Sequence, residues 1–550
     1  MAQETLKIGD LLQERGYIET KHLDFALQAQ KVTKEKLGQV LTRIGIVSEY
    51  DLVSTLGRQL NLRYIDLDKM VPEQDALKRF NRNVCLKLKI LPLASKNGQL
   101  LVATSELPNQ QMSQACLRYS GSKPKFVLAE ESKIVSSIYN YFYFLEHPVE
   151  EGLERETRIL ASDSTMTTSP DNFINFLLLL AVKKRATDIH IRPMEHGINI
   201  ALRIDGVLHS QYYLPPQLKR IITSLKLAAG MDISEQRLPQ DGRWTTEVLQ
   251  KRYDIRVSTV ITPFGENMVM RLLSQEKGVF SLESLGFFPE DMQKLQRIFE
   301  EPYGIVLLTG PTGSGKSTTL VAGLTSIDLL EKNALTIENP IEYFVPLARQ
   351  TQTNEAAGYD FADAMRYFLR HDPDIILIGE MRDETTARTA LTASTTGHLV
   401  LSTLHSNTAL GAIPRMKGLG MDNLTMAETL IAVISQRLVR TICPQCRYSY
   451  TPSETELEYL GVKEKTSLQR GQGCSACGNT GYLGRTLIYE ILALDNDIRN
   501  LLEKGGQIFE LEELVANKGF QTIFDNGRRR VLDGTTTVDE LRRTLGSRKY

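Results

Sequence analysis

Ile305-Val-Leu-Leu-Thr-Gly-Pro-Thr-Gly-Ser-Gly-Lys-Ser-Thr-Thr319 decides how this sequence is read. Ile305 to Thr309 predicts a buried strand, and Thr318 to Leu324 opens a helix. Between them Gly310, Pro311, Thr312, Gly313, Ser314, Gly315, Lys316 and Ser317 satisfy the spacing of a phosphate-binding loop. The glycines matter because backbone N–H groups wrap phosphate oxygens only where side chains leave room, at the positive end of a helix. In this pattern Lys316 reaches the β/γ-phosphates of ATP, and Ser317, with Thr318 beside it, serves the nucleotide and its Mg²⁺.

Other apolar runs surround this one. Asp374-Ile-Ile-Leu-Ile-Gly-Glu380 reads as a second buried strand delivering an acid toward the Mg²⁺ region, with Glu380 as the working carboxylate. Ala334 to Ile337 is a third, followed by Glu338 and Glu342, of which Glu338 suits orienting or deprotonating an attacking water. His398 and His405 flank a further strand. Each of these acids or histidines alone has a structural reading, and their company favours function. From about Glu283 to Tyr550 strands alternate with helices, as in an α/β core.

The whole chain has 550 residues, which predicts three or four folded units. Lys and Arg number 65 and Asp and Glu 66. That balance excludes a general nucleic-acid coat protein, which needs a basic excess. With 42% hydrophobic residues the chain is also no disordered polymer. Phe173 to Val182, the longest apolar run, is too short to span a bilayer. Lys7, Asp10, Glu14 and Arg15 interrupt any signal core. The expectation is a soluble, cytoplasmic, multidomain protein.

Cys443-Pro-Gln-Cys446 and Cys474-Ser-Ala-Cys477 are separated by 27 residues. Four thiolates so spaced suit tetrahedral Zn²⁺ in a closed, structural site of about residues 440–485, with redox chemistry as the alternative. Cys85 and Cys116 are expected in cores. Arg528-Arg-Arg530, with Arg542 and Arg543, lacks interleaved aromatics and reads as a solvated helix face or subunit contact.

Residues 1–60 hold a tandem repeat of two 24-residue units with a five-residue spacer. Lys7, Ile8, Gly9, Asp10, Leu23, Leu27 and Gln30 in the first unit answer Lys36, Leu37, Gly38, Leu52, Leu56 and Gln59 in the second. Each unit reads as a short helix, a Gly turn and a second helix. Residues 61–145 predict a small α/β unit, with a hairpin at Lys96-Asn97-Gly98. Residues 146–170, rich in Glu, Ser and Thr, read as a linker. Residues 171–282 combine a buried helix with alternating strands at Asp188 to Ile191, Ile198 to Ile204, Tyr253 to Val260 and Asn267 to Leu273.

Together these motifs resemble one family, the hexameric assembly ATPases of type II secretion and type IV pili (the GspE, PilB and MshE group). The resemblance rests on Thr187 to Pro193, Leu202 to Gly206, Gly310 to Thr319, Ile337 to Tyr343, Asp372 to Asp383, Gly397 to Asn407 and the cysteine pairs. It implies a RecA-like ATPase domain over 283–550, preceded by a PAS-like α/β domain over 171–282. By position it makes Glu338 the acid that places the hydrolytic water, Glu380 the Mg²⁺-side acid and His405 a coupling residue. Arg256 and Arg271 match arginines that the preceding domain lends to the phosphates. The repeat resembles the cyclic di-GMP-binding module of MshE, although Lys7 and Lys36 stand where Arg is usual; partner docking is the other reading of this module. Asn339 replaces a usual Asp, and Arg192 a usual Glu.

The resemblance further implies a homohexamer working beneath an inner-membrane platform protein. The chain itself stays peripheral, acts on small nucleotides and touches no nucleic-acid polymer. The four-Cys module favours this extension or secretion class over the retraction ATPases, which resemble it but lack such a module. Within the class the repeat favours type IV pilus assembly over type II secretion, which remains the alternative. A nucleic-acid motor and a nucleotide-sensing scaffold without turnover are the readings from other classes.

Overall fold

The computed structural model describes residues 7–163, 167–274, 279–462 and 466–547. They fall into two compact units, one of residues 61–276 and the other of residues 1–60 with 277–550.

The repeat folds as predicted, into α1 (Ile8–Glu14), α2 (Thr20–Thr33), α3 (Leu37–Ile44) and α4 (Glu49–Leu60). Leu12, Ile18 and Ala26 are buried in the first half, and Leu41, Val47 and Thr55 in the second. The two halves share a close approach. A Cβ added at Gly9 would lie 3.0 Å from a Leu23 methyl, and one at Gly38 would lie 3.0 Å from a Leu52 methyl. This four-helix module seats on the 277–550 part of its unit. Lys21 Nζ lies 2.7 Å from Asp328 and 2.5 Å from Glu331. His22 Nδ1 accepts the Glu19 N–H at 2.9 Å. Its Nε2 therefore carries the proton that faces Asp328 at 2.9 Å.

In the 61–276 unit, β1 (Ile90–Lys96) and β2 (Gln99–Thr104) form the predicted antiparallel hairpin, with β3 (Lys123–Leu128) parallel to β2. Asn97 and Gly98 both take positive φ, as a two-residue turn of matching twist requires. The linker expected at 146–170 is corrected. A helix spans Val149–Ser162, and Val149, Leu153 and Leu160 join the core around Phe173 and Leu177. Its acidic residues dominate the composition and mask a narrow apolar stripe at helical spacing.

The same unit holds a six-stranded antiparallel sheet, consistent with the α/β domain expected before the motor. Its strands are β4 (Ala186–Met194), β5 (Gly197–Ile204), β6 (Val207–Leu214), β7 (Gln240–Val248), β8 (Lys251–Thr262) and β9 (Gly265–Ser274), in the order β6-β5-β4-β9-β8-β7. The helix Asp171–Lys183, expected as a buried helix, contributes six core residues beneath it.

The 277–550 region is RecA-like. Its strands are β10 (Gly304–Thr309), β11 (Ala334–Glu338), β12 (Arg349–Gln352), β13 (Ile375–Ile378), β14 (Leu399–Leu404), β15 (Leu430–Ile442), β16 (Arg447–Tyr450), β17 (Leu468–Gly471) and β18 (Tyr482–Ala493). Seven of them form one sheet in the order β12-β11-β13-β14-β10-β15-β18, parallel except for β18. All residues of β10, β11, β13 and β14 are buried, which is why these strands read as continuous apolar runs. β16 and β17 pair between the long arms β15 and β18. Among the described residues no helix is long and apolar enough to cross a membrane.

Candidate functional site

The phosphate loop leaves β10 at Thr309, whose hydroxyl donates to Ser406 O at 2.9 Å and accepts the Ser406 N–H at 2.8 Å. Gly310 has φ +140°, and a Cβ there would lie 2.3 Å from the Gln436 carbonyl, so only glycine lets the loop pass β15. Gln436 Nε2 donates to Ser314 O at 2.9 Å. The helix Lys316–Thr325 begins at the end of the loop. Lys316 Nζ donates to Gly310 O at 2.9 Å and Pro311 O at 3.2 Å. The ammonium is thus folded back over the loop, on carbonyl acceptors that phosphate oxygens could replace. Burial lowers its pKa, against the attraction of Glu380 and Glu342. Ser314 Oγ is buried without a hydrogen-bond partner. An unpartnered buried hydroxyl in a glycine-lined cradle fits a nucleotide phosphate and its Mg²⁺.

Glu338 closes β11 and is buried. Its Oε1 accepts from Thr336 Oγ1 at 2.7 Å and Gln350 Nε2 at 3.0 Å. Burial raises its pKa above the usual carboxylate value despite these two donors, and the Glu342 charge adds to the rise. A carboxyl held above its usual pKa is a better proton acceptor than an exposed one. Glu380 stands two residues beyond β13, beside Arg382 and 3.5 Å from His405 Nε2. The Met381 N–H bonds to Thr403 O and the Thr403 hydroxyl to Gly379 O, fixing the Glu380 backbone against β14. Lys316, Glu338 and Glu380 thus sit at or just past the carboxyl ends of β10, β11 and β13, the end of a parallel sheet where ligands bind.

In the 61–276 unit, Arg271 Nε donates to Asp188 Oδ1 at 2.8 Å, and Arg256 stands opposite Arg271 across β8 and β9.

The four cysteines converge. All four Sγ atoms lie within 4.8 Å of one another. Cys443–Cys474, Cys446–Cys477 and Cys474–Cys477 are separated by 3.8, 3.9 and 3.7 Å. Tetrahedral thiolates at a Zn–S distance of ~2.3 Å stand ~3.8 Å apart, whereas a disulfide needs ~2.05 Å. Burial opposes ionisation of Cys477, but the N–H groups of Cys474 and Gly481 prevail and hold its pKa at about 7. Burial pushes Cys443 up to about 12, the environment of a thiol that a cation would have to ionise. Cys85 and Cys116 lie in a core, as expected.

In the repeat, Leu23 and Leu27 lie on α2 and Leu52 and Leu56 on α4, half-buried except for Leu27, which is exposed. Lys7, Asp10, Lys36 and Gln59 are exposed, Gly9 is buried, and Ile8, Leu37 and Gly38 are half-buried. Gln30 Nε2 donates to Glu35 O at 2.8 Å, closing the first repeat onto the spacer.

Three contributors escaped the motif reading. Gln350 comes from β12, too short and polar to announce itself. Gln436 lies inside the apolar run of β15. Tyr343, 3.4 Å from Thr318 Oγ1, follows the Glu338 to Glu342 segment. The polar interruption of β15 at Ser435-Gln436 was the one available signal.

Comparison with known proteins places these features in context. The family described as type II/IV secretion system protein matches residues 166–543, and an MshEN domain matches residues 60–146. The type IV pilus assembly ATPase PilB of Myxococcus xanthus is 34% identical over 555 residues, covering 97% of this chain and 98% of that protein. The PilB of Thermus thermophilus is 35% identical over 525 residues, 93% of this chain, which spans 59% of that relative's length. Type II secretion system protein E of Dickeya dadantii is 42% identical over 369 residues, 67% of this chain and 74% of that one. Among solved structures, the Legionella pneumophila ATPase DotB aligns with a TM-score of 0.50 at 21% identity, over 70% of this chain and 98% of that one, a likeness of fold.

Proposed function

This chain belongs to the type II/IV secretion system protein family and is an ATP hydrolase, and on that premise we propose that it powers type IV pilus assembly. One observation carries the catalytic reading: Lys316 on a glycine cradle, with Glu338 and Glu380 at the ends of two further strands of the same sheet. The N–H groups of Gly313 to Thr318 hold the phosphates, and Lys316 turns from its loop carbonyls to the β/γ-phosphates. Ser317, Thr318 and Glu380 would hold Mg²⁺, which supplies charge neutralisation on the transferring phosphoryl group. Glu338, oriented by Thr336 and Gln350, aligns the attacking water and accepts its proton. His405 transmits the state of Glu380 to β14. Arg256 and Arg271 add positive charge to the phosphates.

The chain works as a homohexamer on the cytoplasmic side of the inner membrane, held there by a platform protein. Its four cysteines hold a structural Zn²⁺. Cyclic di-GMP binds the tandem repeat, through the backbone at Gly9 and Gly38 and the leucines Leu23, Leu27, Leu52 and Leu56. The MshEN domain directly following the repeat supports this regulation. Similarity to PilB over nearly the whole of this chain supports the pilus reading. The higher identity to type II secretion protein E, confined to two thirds of the chain, favours pseudopilus assembly as the second reading.

A chromosomal Lys316→Ala variant separates the two. The pilus reading predicts loss of sheared surface pili with exported proteins still present in the medium. Normal pili with export abolished would transfer the function to type II secretion. Calorimetric titration of the full chain with cyclic di-GMP is expected to give saturable heat that Leu23→Asp with Leu52→Asp removes; no heat at high micromolar ligand would leave the repeat as a docking module.

A further inference from the structure

One register row crosses five strands of the antiparallel sheet in the 61–276 unit. Arg203 on β5 stands opposite Asp188 on β4, and Asp188 opposite Arg271 on β9. Arg271 in turn faces Arg256 on β8, and Arg256 faces Arg243 on the edge strand β7. Directly opposed residues share a face, so four arginines and one aspartate project from one side of the sheet. Like charges opposite each other are destabilising. Aspartates temper this repulsion for two of the three consecutive arginines across β9, β8 and β7, and an anion laid over the row would temper it further.

Two of the three are anchored alike. Arg271 Nε donates to Asp188 Oδ1 at 2.8 Å, and Arg243 Nε donates to Asp254 Oδ1 at 2.5 Å. The two aspartates are 3% and 4% exposed, whereas the side chains of Arg271 and Arg243 are 53% and 51% exposed. A tie through Nε fixes the plane of a guanidinium and leaves its two terminal amino groups as a fork for a bidentate oxyanion. Arg203 shares Asp188, its Nε 3.7 Å from Oδ2, but one of its terminal nitrogens is already taken by Gly206 O at 3.1 Å, so it closes the β5–β6 turn.

We propose that Arg243 is a third phosphate-binding arginine of this face, and that Asp188 and Asp254 are positioning residues that aim Arg271 and Arg243 at the nucleoside triphosphate. The inference rests on the reading that Arg256 and Arg271 meet the phosphates. It adds a member that lies on the edge strand, and a reason why buried aspartates occupy an otherwise cationic row.

The test is steady-state ATP hydrolysis by the full chain carrying Arg243→Gln, Arg243→Lys, Asp254→Asn, Arg256→Gln or Arg271→Gln, with thermal melts of each. Arg243→Gln is expected to lower kcat/KM for ATP by at least ~10-fold. Asp254→Asn should act in the same direction, and the double variant should be no worse than Arg243→Gln alone, because Asp254 acts only through Arg243. Should Arg243→Gln fail to fold, Arg243→Lys keeps the charge but loses the planar fork, and the same loss is expected. Unchanged kcat/KM in both Arg243 variants beside collapsed Arg256→Gln and Arg271→Gln would overturn the proposal while sparing the reading beneath it. Wild-type values in all the arginine variants would overturn both. Additive losses at Asp254 and Arg243 would reduce Asp254 to a structural role.

Discussion

Asp51 shows what one buried charge does to this molecule. Its Oδ2 accepts from the Ser48 hydroxyl at 2.6 Å, while Oδ1 is buried without a partner. Burial pushes its pKa from 3.8 to about 6; the Ser48 bond opposes this and the Glu283 charge reinforces it. The folded chain therefore holds this proton more tightly than the unfolded chain. The resulting stability is fully present below the unfolded value and is lost as pH rises through about 6, on the order of 2–3 kcal/mol in all. Asp51→Asn should remove that slope. Urea midpoints of the parent are expected to fall relative to the variant between pH 4 and 6.5, and parallel profiles would contradict the assignment. In the sequence Ser48 and Asp51 look like an ordinary helix start; only the fold brings Ser281 and Glu283 against them. The placement of Glu338 and Glu380 at strand ends was legible because each follows an apolar run. Gln350 was not, because its role depends on the pairing of β12 with β11.

At the scale of elements, motif-bearing pieces were the readable ones. β10 and its helix, the Asn97-Gly98 hairpin and both halves of the repeat formed where spacing placed them. The helix Val149–Ser162 was missed because Glu150, Glu151, Glu154 and Glu156 crowd a segment whose apolar stripe is narrow. The cysteine knuckles were legible individually, but their convergence depends on β16 and β17 pairing between the arms β15 and β18. A Cβ at Gly471 would lie 2.1 Å from the Gly481 carbonyl, so this pinch tolerates only glycine. Metal analysis of the parent should give about one Zn²⁺ per chain, with loss of the metal and a lower Tm in Cys443→Ser. Equal metal content in both would return the cysteines to the redox reading.

For the whole molecule, the near-neutral charge acquires a meaning beyond composition. In the proposed function the basic groups that meet a small anion are Lys316 and the Arg243, Arg256 and Arg271 row. Basic residues pair with acids within that row, as Arg243 does with Asp254, and beyond it, as Lys21 does with Asp328 and Glu331. Such local pairing is in keeping with the near balance of 65 basic and 66 acidic residues in the chain. The seat of the repeat module on the segment that follows the phosphate-loop helix had no signature in the sequence, since ion pairs between distant segments leave no periodicity. In the proposed function Lys316, Glu338 and Glu380 carry ATP hydrolysis by this chain. Phosphate release by the full chain should be measured beside Glu380→Gln, with nucleotide binding followed in both. Turnover is expected in the parent, with retained ATP binding in the variant and a rate at least ~100-fold lower. Equal rates in the two proteins would contradict it.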